Sequence, residues 1–515
     1  MQSEPQPVDS QRAPLVRATA SSEGRRRRFP ALVHDTATTM IAEALVLVGG
    51  LLFYGIAARY FDPTGVGVLV LVKRAGGLLT PAVFLGLQTG LPRCIAQARA
   101  IGSDPSPLVL AGSAILAVAL TVALLPVLLL PGATTRALMG LDMPVLAVPL
   151  AFTLASVIVY GAVRGFYFGL LRIPRANLVQ VAAVAVAPII ALVVWHPSPA
   201  AAVAAAGLAT MLVAVAGGLP LLGVAGRPRP AAELRSAGLE LLRYSTPRMP
   251  GDLAIAALMS VGTLWAARFA DLHTVGYLSI SQSLLSAVTA AFIPLSAVIL
   301  PRAAALVVAG QADQIRTRLR LLVRLTLIGS VFVTLQGVVF ADTVLYWWLG
   351  PQFSSGAAVL RLVLAGVPFL ALFFSLRSLV DAASATPYHT YNLFAALGVM
   401  AAGLVVSSVA LPAGLRPLGI AASGSVALIV LAVLTVRVCG RLYEVPLRLG
   451  GSAGALGICA IAAAVAGLVH LRVSGTSPLG LIALVGLEVA LFAIAVLPAF
   501  AGPLRQVLRP RRSVR

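Results

Sequence analysis

The sequence predicts an all-α polytopic membrane protein of about fourteen transmembrane helices, built as two parallel six-helix bundles followed by two C-terminal helices. Three observations predict it. First, 59% of the 515 residues are hydrophobic and the mean hydropathy is +0.98, with apolar runs of about 20 residues, the length of a bilayer-crossing helix, one after another. Second, the runs are continuous rather than alternating, which selects helices over a closed β-barrel, the other fold that satisfies its backbone in lipid. Third, the chain repeats itself at one fixed offset. Ala57-Ala58-Arg59, Asp62, Val66-Gly67 and Leu69 recur as Ala266-Ala267-Arg268, Asp271, Val275-Gly276 and Leu278. Leu91-Pro92-Arg93 recurs as Leu300-Pro301-Arg302, and Glu43 as Asp252. The matched charges carry the weight, because only 11% of the chain is charged. Duplicated units are a common way to build a transporter.

Residues 1–34 read as a disordered basic tail, rich in Ser, Pro and Gln and ending in Arg25-Arg26-Arg27-Arg28; the long apolar segment behind it does not fit a cleaved signal peptide. The spans are expected at 36–59, 65–91, 107–130, 144–163, 177–195, 199–224, 248–267, 275–300, 321–341, 357–379, 391–411, 417–437, 451–470 and 479–500. Residues 35–224 form the first bundle, 248–442 the second, and 443–515 the last two helices with a basic tail. Between the bundles, 225–247 opens with Arg227-Pro228-Arg229-Pro230 and continues as an amphipathic stretch from Ala231 to Tyr244, suited to the inner membrane surface. With the N-terminus inside, 30 of the 38 basic residues fall on the inner face and six on the outer. This strong positive-inside bias places both termini in the cytoplasm. The outer loops are short, the longest near 131–143 and 342–356.

The net charge of +21 is carried by 37 Arg and a single Lys, Lys73. Because the arginines sit at the ends of apolar segments, they mark topology rather than a nucleic-acid face. Cys94, Cys439 and Cys459 fit neither a metal site nor a disulfide framework. His34, His196, His273, His389 and His470 do not cluster. No metal, no cofactor and no catalytic constellation is expected.

Several segments resemble the Wzx-type polysaccharide flippases, of the superfamily that also holds MATE exporters and the lipid II flippase MurJ. They are Ala57 to Gly67, Phe84-Leu85-Gly86-Leu87, Leu91 to Ala96, the Arg164-Gly165 turn expected after span 4, and Leu349-Gly350-Pro351-Gln352-Phe353 with Ala357 to Arg361 before span 10. The resemblance implies the 6+6+2 plan and a place in the bacterial cytoplasmic membrane. It also implies movement of a polyprenyl-pyrophosphate-linked oligosaccharide from the inner to the outer leaflet by alternating access, in company with polysaccharide polymerase machinery.

Lys73 and Arg74 are the candidate substrate-binding residues. They lie about 12–14 Å inside span 2 at helical rise, where charge is costly and must face protein or water. Their repeat-related positions hold Gln282 and Ser283, so the fold does not require the charges. An anionic head group such as a pyrophosphate suits them; snorkelling toward the outer interface is the structural alternative. Glu43 and Asp252, about two turns inside spans 1 and 7, are candidates for coupling to H⁺ or Na⁺, against a role as helix-start carboxylates or partners of inner-face arginines. Arg377 and Asp381 are spaced for an i, i+4 salt bridge. Arg59 with Asp62, and Arg268 with Asp271, read as paired caps of spans 1 and 7. Pro81, Pro188, Pro294 and Pro368 are expected to kink their spans, and Gly76-Gly77, Gly86 and Gly90 to give span 2 a close-packing face. Glu488 in span 14 has no assigned place. A MATE-like cation-coupled antiporter is the main alternative, disfavoured by a cationic cavity. This sequence lacks the acidic-basic loop that a major-facilitator transporter carries after span 2, and the large outer loop with acids or histidines that a membrane enzyme usually needs.

Overall fold

The computed structural model describes residues 22–225, 229–292, 312–384, 386–445 and 453–472, with isolated positions 486, 489 and 490. Pro294, Pro301, Arg302, Glu488 and the rest of expected span 14 lie outside them, as does the side chain of Asp381. Among the described residues there is no strand. Ten helices are long and apolar enough to cross a membrane, or eleven if the bent pair Pro351–Leu364 and Val367–Arg377 is one span. Fourteen is therefore not reached among the described residues, although Leu272–Ala290 and Ala453–Arg472 coincide with two further expected spans. The chain is a multi-pass membrane protein.

Helix α1 (Ser22–Tyr60) begins well before the expected span. Arg25 to Arg28, assigned to a disordered tail, ride on its first turns, because arginine is a good helix former and the following span supplies the nucleus. At the end of the molecule where α1 finishes, here called the far side, α2 (Pro63–Phe84) starts on Asp62, whose carboxylate accepts from the Gly65 N–H at 2.8 Å. Asp62 thus caps the second span rather than the first. Expected span 2 is in fact two helices. It breaks at Leu85 and Gly86, at φ 52° and 77°, and resumes as α3 (Leu87–Ala100). Pro81, four residues before the break, leaves its carbonyl to the Leu85 N–H at 3.1 Å.

The first half continues with α4 (Ser106–Leu129), the short far-side helix α5 (Pro131–Met139) and α6 (Ala147–Gly169). Then come α7 (Ile173–Val194), which carries a π turn at Val181–Val186 just before Pro188, and α8 (Pro199–Gly218). Arg164 lies inside α6; the expected Arg-Gly turn actually falls at Leu171, which adopts φ 56°.

The linker helix α9 (Ala231–Ser245) buries Ala237, Leu241 and Ser245. Gly86 and Gly90, expected to serve packing between spans, seat this helix instead. A Cβ on Gly86 would lie 2.2 Å from the Ser245 carbonyl oxygen, and one on Gly90 1.9 Å from the Ser245 hydroxyl. The end of the molecule near α9 is called the linker side below.

The second half comprises α10 (Met249–Phe269), α11 (Leu272–Ala290), α12 (Ala312–Val339) and the short far-side helix α13 (Ala341–Leu349). It continues with α14 (Ala357–Leu364), α15 (Val367–Ala383), α16 (Tyr388–Ala410), α17 (Arg416–Leu442) and α18 (Ala453–Arg472). Pro368 opens α15, and the α14–α15 pair bends by 41° there. Asp271 repeats the work of Asp62, accepting from the Thr274 N–H at 2.7 Å to cap α11. Arg268, expected to share that cap, instead donates to the Arg136 and Ala137 carbonyls across the halves.

The halves meet through repeat-related residues. A Cβ on Gly67 would lie 3.4 Å from the Gly276 nitrogen and 2.1 Å from the Leu272 oxygen, and one on Gly276 2.7 Å from the Pro63 oxygen. Thr64 lies 3.2 Å from the imidazole of His273, its own repeat partner. Only glycines allow α2 and α11 to cross so closely. Of the apolar clusters among the described residues, one draws on both halves, uniting Leu69 and Val72 with Val275, Leu278 and Leu360. A second, with Phe84, Leu91, Phe166 and Leu241, belongs to the first half and the linker. A third, with Leu319, Leu376, Leu379 and Cys439, belongs to the second half. The halves are joined on the far side and keep separate cores toward the linker side.

Candidate functional site

Midway along α2, two adjacent cations point in different directions, as neighbours about 100° apart on a helix must. Lys73 is half-buried and turns into its own half. Its ammonium sits 4.4 Å from the centre of the Phe53 ring and 5.1 Å from that of Tyr54, both on α1. It lines a cavity of about 310 Å³ whose walls include Phe53, Thr153, Tyr160, Pro188 and Thr210. The walls thus combine aromatic faces, which attract a cation, with hydroxyl groups that both donate and accept hydrogen bonds.

Arg74 turns the other way, into the interface between the halves. Its guanidinium donates to the Met259 carbonyl of α10 and the Ser279 carbonyl of α11, both at 3.3 Å. The side chain expected to bind substrate beside Lys73 therefore holds the two halves together in this state. Among the described residues, neither cation has a carboxylate within ion-pair distance.

The repeat-related place in the second half is built differently. Gln282, at the position of Lys73, accepts from the Thr263 hydroxyl at 3.2 Å. Ser283, at the position of Arg74, donates to the Ser279 carbonyl at 2.8 Å. The cavity beside Gln282 measures only about 20 Å³, room for about one water. Met400, Leu258 and Leu285 close it down. One fold thus yields a roomy cationic cavity in one half and a filled neutral one in the other.

The acids expected to couple ions each meet an arginine, Glu43 from the middle of α1 and Asp252 from the start of α10. Glu43 accepts from Arg164 at 2.6 Å, and the same guanidinium stacks 4.9 Å from the Phe168 ring. Asp252, in the first turn of α10, lies 4.0 Å from Arg377 of α15. Arg377 is thus reached from another helix, and the side chain of Asp381, spaced for an i, i+4 pair with it, lies outside the described residues.

The far side carries residues whose roles the sequence does not announce. The Trp348 indole donates to the Leu51 carbonyl at 2.9 Å and Gln352 to the Ala58 carbonyl at 3.0 Å, tying α13 and the turn after it to α1. Phe53 and Tyr54 were missed too, although adjacent aromatics in a chain only 6% aromatic are a usable signal. Among the described residues no group of three His, Cys, Asp or Glu side chains is placed to hold a metal.

The fold resembles two solved transporters. The lipid II flippase MurJ in an inward closed conformation aligns over 92% of this chain and 99% of its own, with a TM-score of 0.68 at 11% identity. An inward-facing multidrug resistance MATE family transporter of the MOP superfamily aligns over 78% and 99%, with a TM-score of 0.59 at 17% identity. Such identities establish a shared fold. No curated protein matches the sequence. A model of the polysaccharide biosynthesis protein family matches residues 32–307, more than half of the chain. The two halves, the far-side closure and this match agree, and the chain belongs to the polysaccharide biosynthesis protein family.

Proposed function

We propose that the protein carries a polyprenyl-pyrophosphate-linked oligosaccharide from the cytoplasmic to the outer leaflet of a bacterial cytoplasmic membrane, by alternating access. The observation that carries this reading is the Lys73 ammonium, without a counter-ion among the described residues, in a cavity of about 310 Å³, while the repeat-related position holds neutral Gln282 in a filled one. A half-buried cation within a membrane span, with space beside it, is an anion site in want of an anion. The volume is at the lower end of the ~300–1,000 Å³ usual for small-molecule sites. It fits a diphosphate and an adjoining sugar, with hydroxyls and aromatic faces for the sugar ring; the rest of the glycan lies between the halves. Arg74 joins Lys73 when the far side opens and its two carbonyl partners move away. Glu43 and Asp252 take the coupling ion, H⁺ or Na⁺, and a polysaccharide polymerase receives the product.

The test is Lys73→Gln, which copies the second half. A hydrogen bond to a charged group contributes about 1.5–3 kcal/mol, so transport falls by roughly ten- to a hundredfold, with normal insertion and with lipid-linked oligosaccharide accumulating in the inner leaflet. Unchanged transport would sink the assignment. A MATE-like cation-coupled antiporter is the second reading. The fold likeness favours it, and the cationic cavity opposes it by repelling cationic substrates. It prevails if Lys73→Gln raises the export of a cationic dye and leaves lipid-linked sugars where they were.

A further inference from the structure

We infer that the linker side of the molecule closes by an exchange of ion-pair partners, in which Glu43 passes from Arg164 to Arg377 while Asp252 passes from Arg377 to Arg164. The inference rests on the alternating-access reading above. It concerns how the halves move and not what they carry.

Glu43 and Asp252 occupy equivalent positions on the first helix of each half, and Arg164 and Arg377 stand ten residues before Pro174 and Pro387 on the fourth span of each. The structure shows that each acid reaches the arginine of its own half, at 2.6 Å in the first and 4.0 Å in the second. One pseudo-twofold operation therefore relates the two pairs. It is the operation that sets Gly67 against Gly276 and Thr64 against His273 on the far side. A two-fold interface is self-complementary: any contact made one way across it is made the other way too. If the linker-side ends swing together about this axis, a contact between Glu43 and Arg377 brings with it one between Asp252 and Arg164.

The surroundings suit such an exchange. All four side chains retain exposure, from 27% for Asp252 to 49% for Glu43. Accessible pairs contribute little to stability, so neither arrangement is a trap. The far-side cluster is shared while the linker-side clusters are separate, so this is the end with room to close. Closure withdraws the four charges from water, and a buried charge is tolerated only when paired. Two acids and two arginines leave every charge paired before and after. Between the two arrangements each acid is briefly without its arginine, which is when a coupling ion can reach it.

The test uses the full chain in inverted membrane vesicles, with Cys94, Cys439 and Cys459 replaced by alanine and a protease site in the linker. Cysteines placed by Glu43→Cys with Arg377→Cys, or by Arg164→Cys with Asp252→Cys, are treated with a short bis-maleimide, and the linker is then cut. Exchange predicts that both combinations hold the halves together on a denaturing gel, severalfold above a control of Glu43→Cys with Val409→Cys on the exposed face of α16. Charge reversal gives an independent readout. Glu43→Arg with Arg164→Glu restores the pair within the first half but sets like charges opposite each other on closure. In spheroplasts, which expose the far side, it should reduce labelling of Thr64→Cys by an impermeant maleimide severalfold, and adding Asp252→Arg with Arg377→Glu should restore it. No cross-half product above the control, or a double reversal that labels like the parent, overturns the exchange. Neither readout involves the glycan, so failure of the substrate assignment would leave both intact.

Discussion

Single residues acquire their roles from what stands opposite them. Asp62, Asp271 and Asp104 all accept hydrogen bonds near helix starts, but Asp104 also reaches out of its loop to Arg229 ahead of the linker helix. Its carboxyl is held below the ordinary value of 3.8, first by the Ser106 hydroxyl, then by the Ser106 N–H and the Arg229 guanidinium. A lowered carboxylate stabilises fully above its unfolded value and loses that contribution as pH falls through its folded value. Hydrogen exchange in α9, taken relative to the intrinsic amide rate at each pH, is therefore expected to stay slow at neutral pH and to quicken as the pH drops below 3.8. Asp104→Asn should quicken it modestly at neutral pH and remove the pH dependence; the exposed pair is worth less than about 1 kcal/mol. An Asn variant with the parent's pH profile would show that the tether does not hold the linker. In the same way Lys73 and Arg74, identical as a sequence feature, separate into a cavity cation and an interface clamp because the helix turns them onto different neighbours.

Elements follow the sequence where hydrophobic length decides and depart from it where a close approach decides. Most of the expected spans recur within a few residues, because about 20 apolar residues can do little else in lipid. The break between α2 and α3 was not foreseen, since Leu85-Gly86 is apolar and short. Its cause lies elsewhere in the chain: α9 docks there, and only a glycine at φ 77° leaves space for the Ser245 carbonyl 2.2 Å from its absent Cβ. Gly86→Val combines that clash with a backbone region that β-branched residues avoid, at a cost of about 1–3 kcal/mol. The linker helix is expected to undock, with proteolysis at a site inserted at 226–229 rising by roughly tenfold per 1.4 kcal/mol. Cleavage at the parental rate would mean that α9 is held by other contacts. The aromatic tie from Trp348 to α1 was equally illegible, because nothing local to either helix announces a partner almost 300 residues away.

At the scale of the whole molecule, two copies of one plan are joined at one end and have diverged in their interiors. Each half places an acid on its first span and an arginine on its fourth, and the proposed coupling role of these acids is open to test. Glu43→Gln is expected to abolish the dependence of transport on pH or sodium while leaving the protein in the membrane; an unaltered dependence would refute the coupling role. The sequence by itself determined that the chain crosses the membrane many times as helices, that it is internally duplicated, and that a basic pair sits where the duplicate has none. These properties reside in apolar length, charge placement and self-similarity, which are local or one-dimensional. Only the tertiary structure decided that Lys73 faces a cavity and Arg74 the partner half, that Glu43 and Asp252 each meet an arginine, and that glycines serve the linker and the axis. Those outcomes depend on which surfaces distant helices bring together, and a side chain's chemistry is set by its neighbours in space.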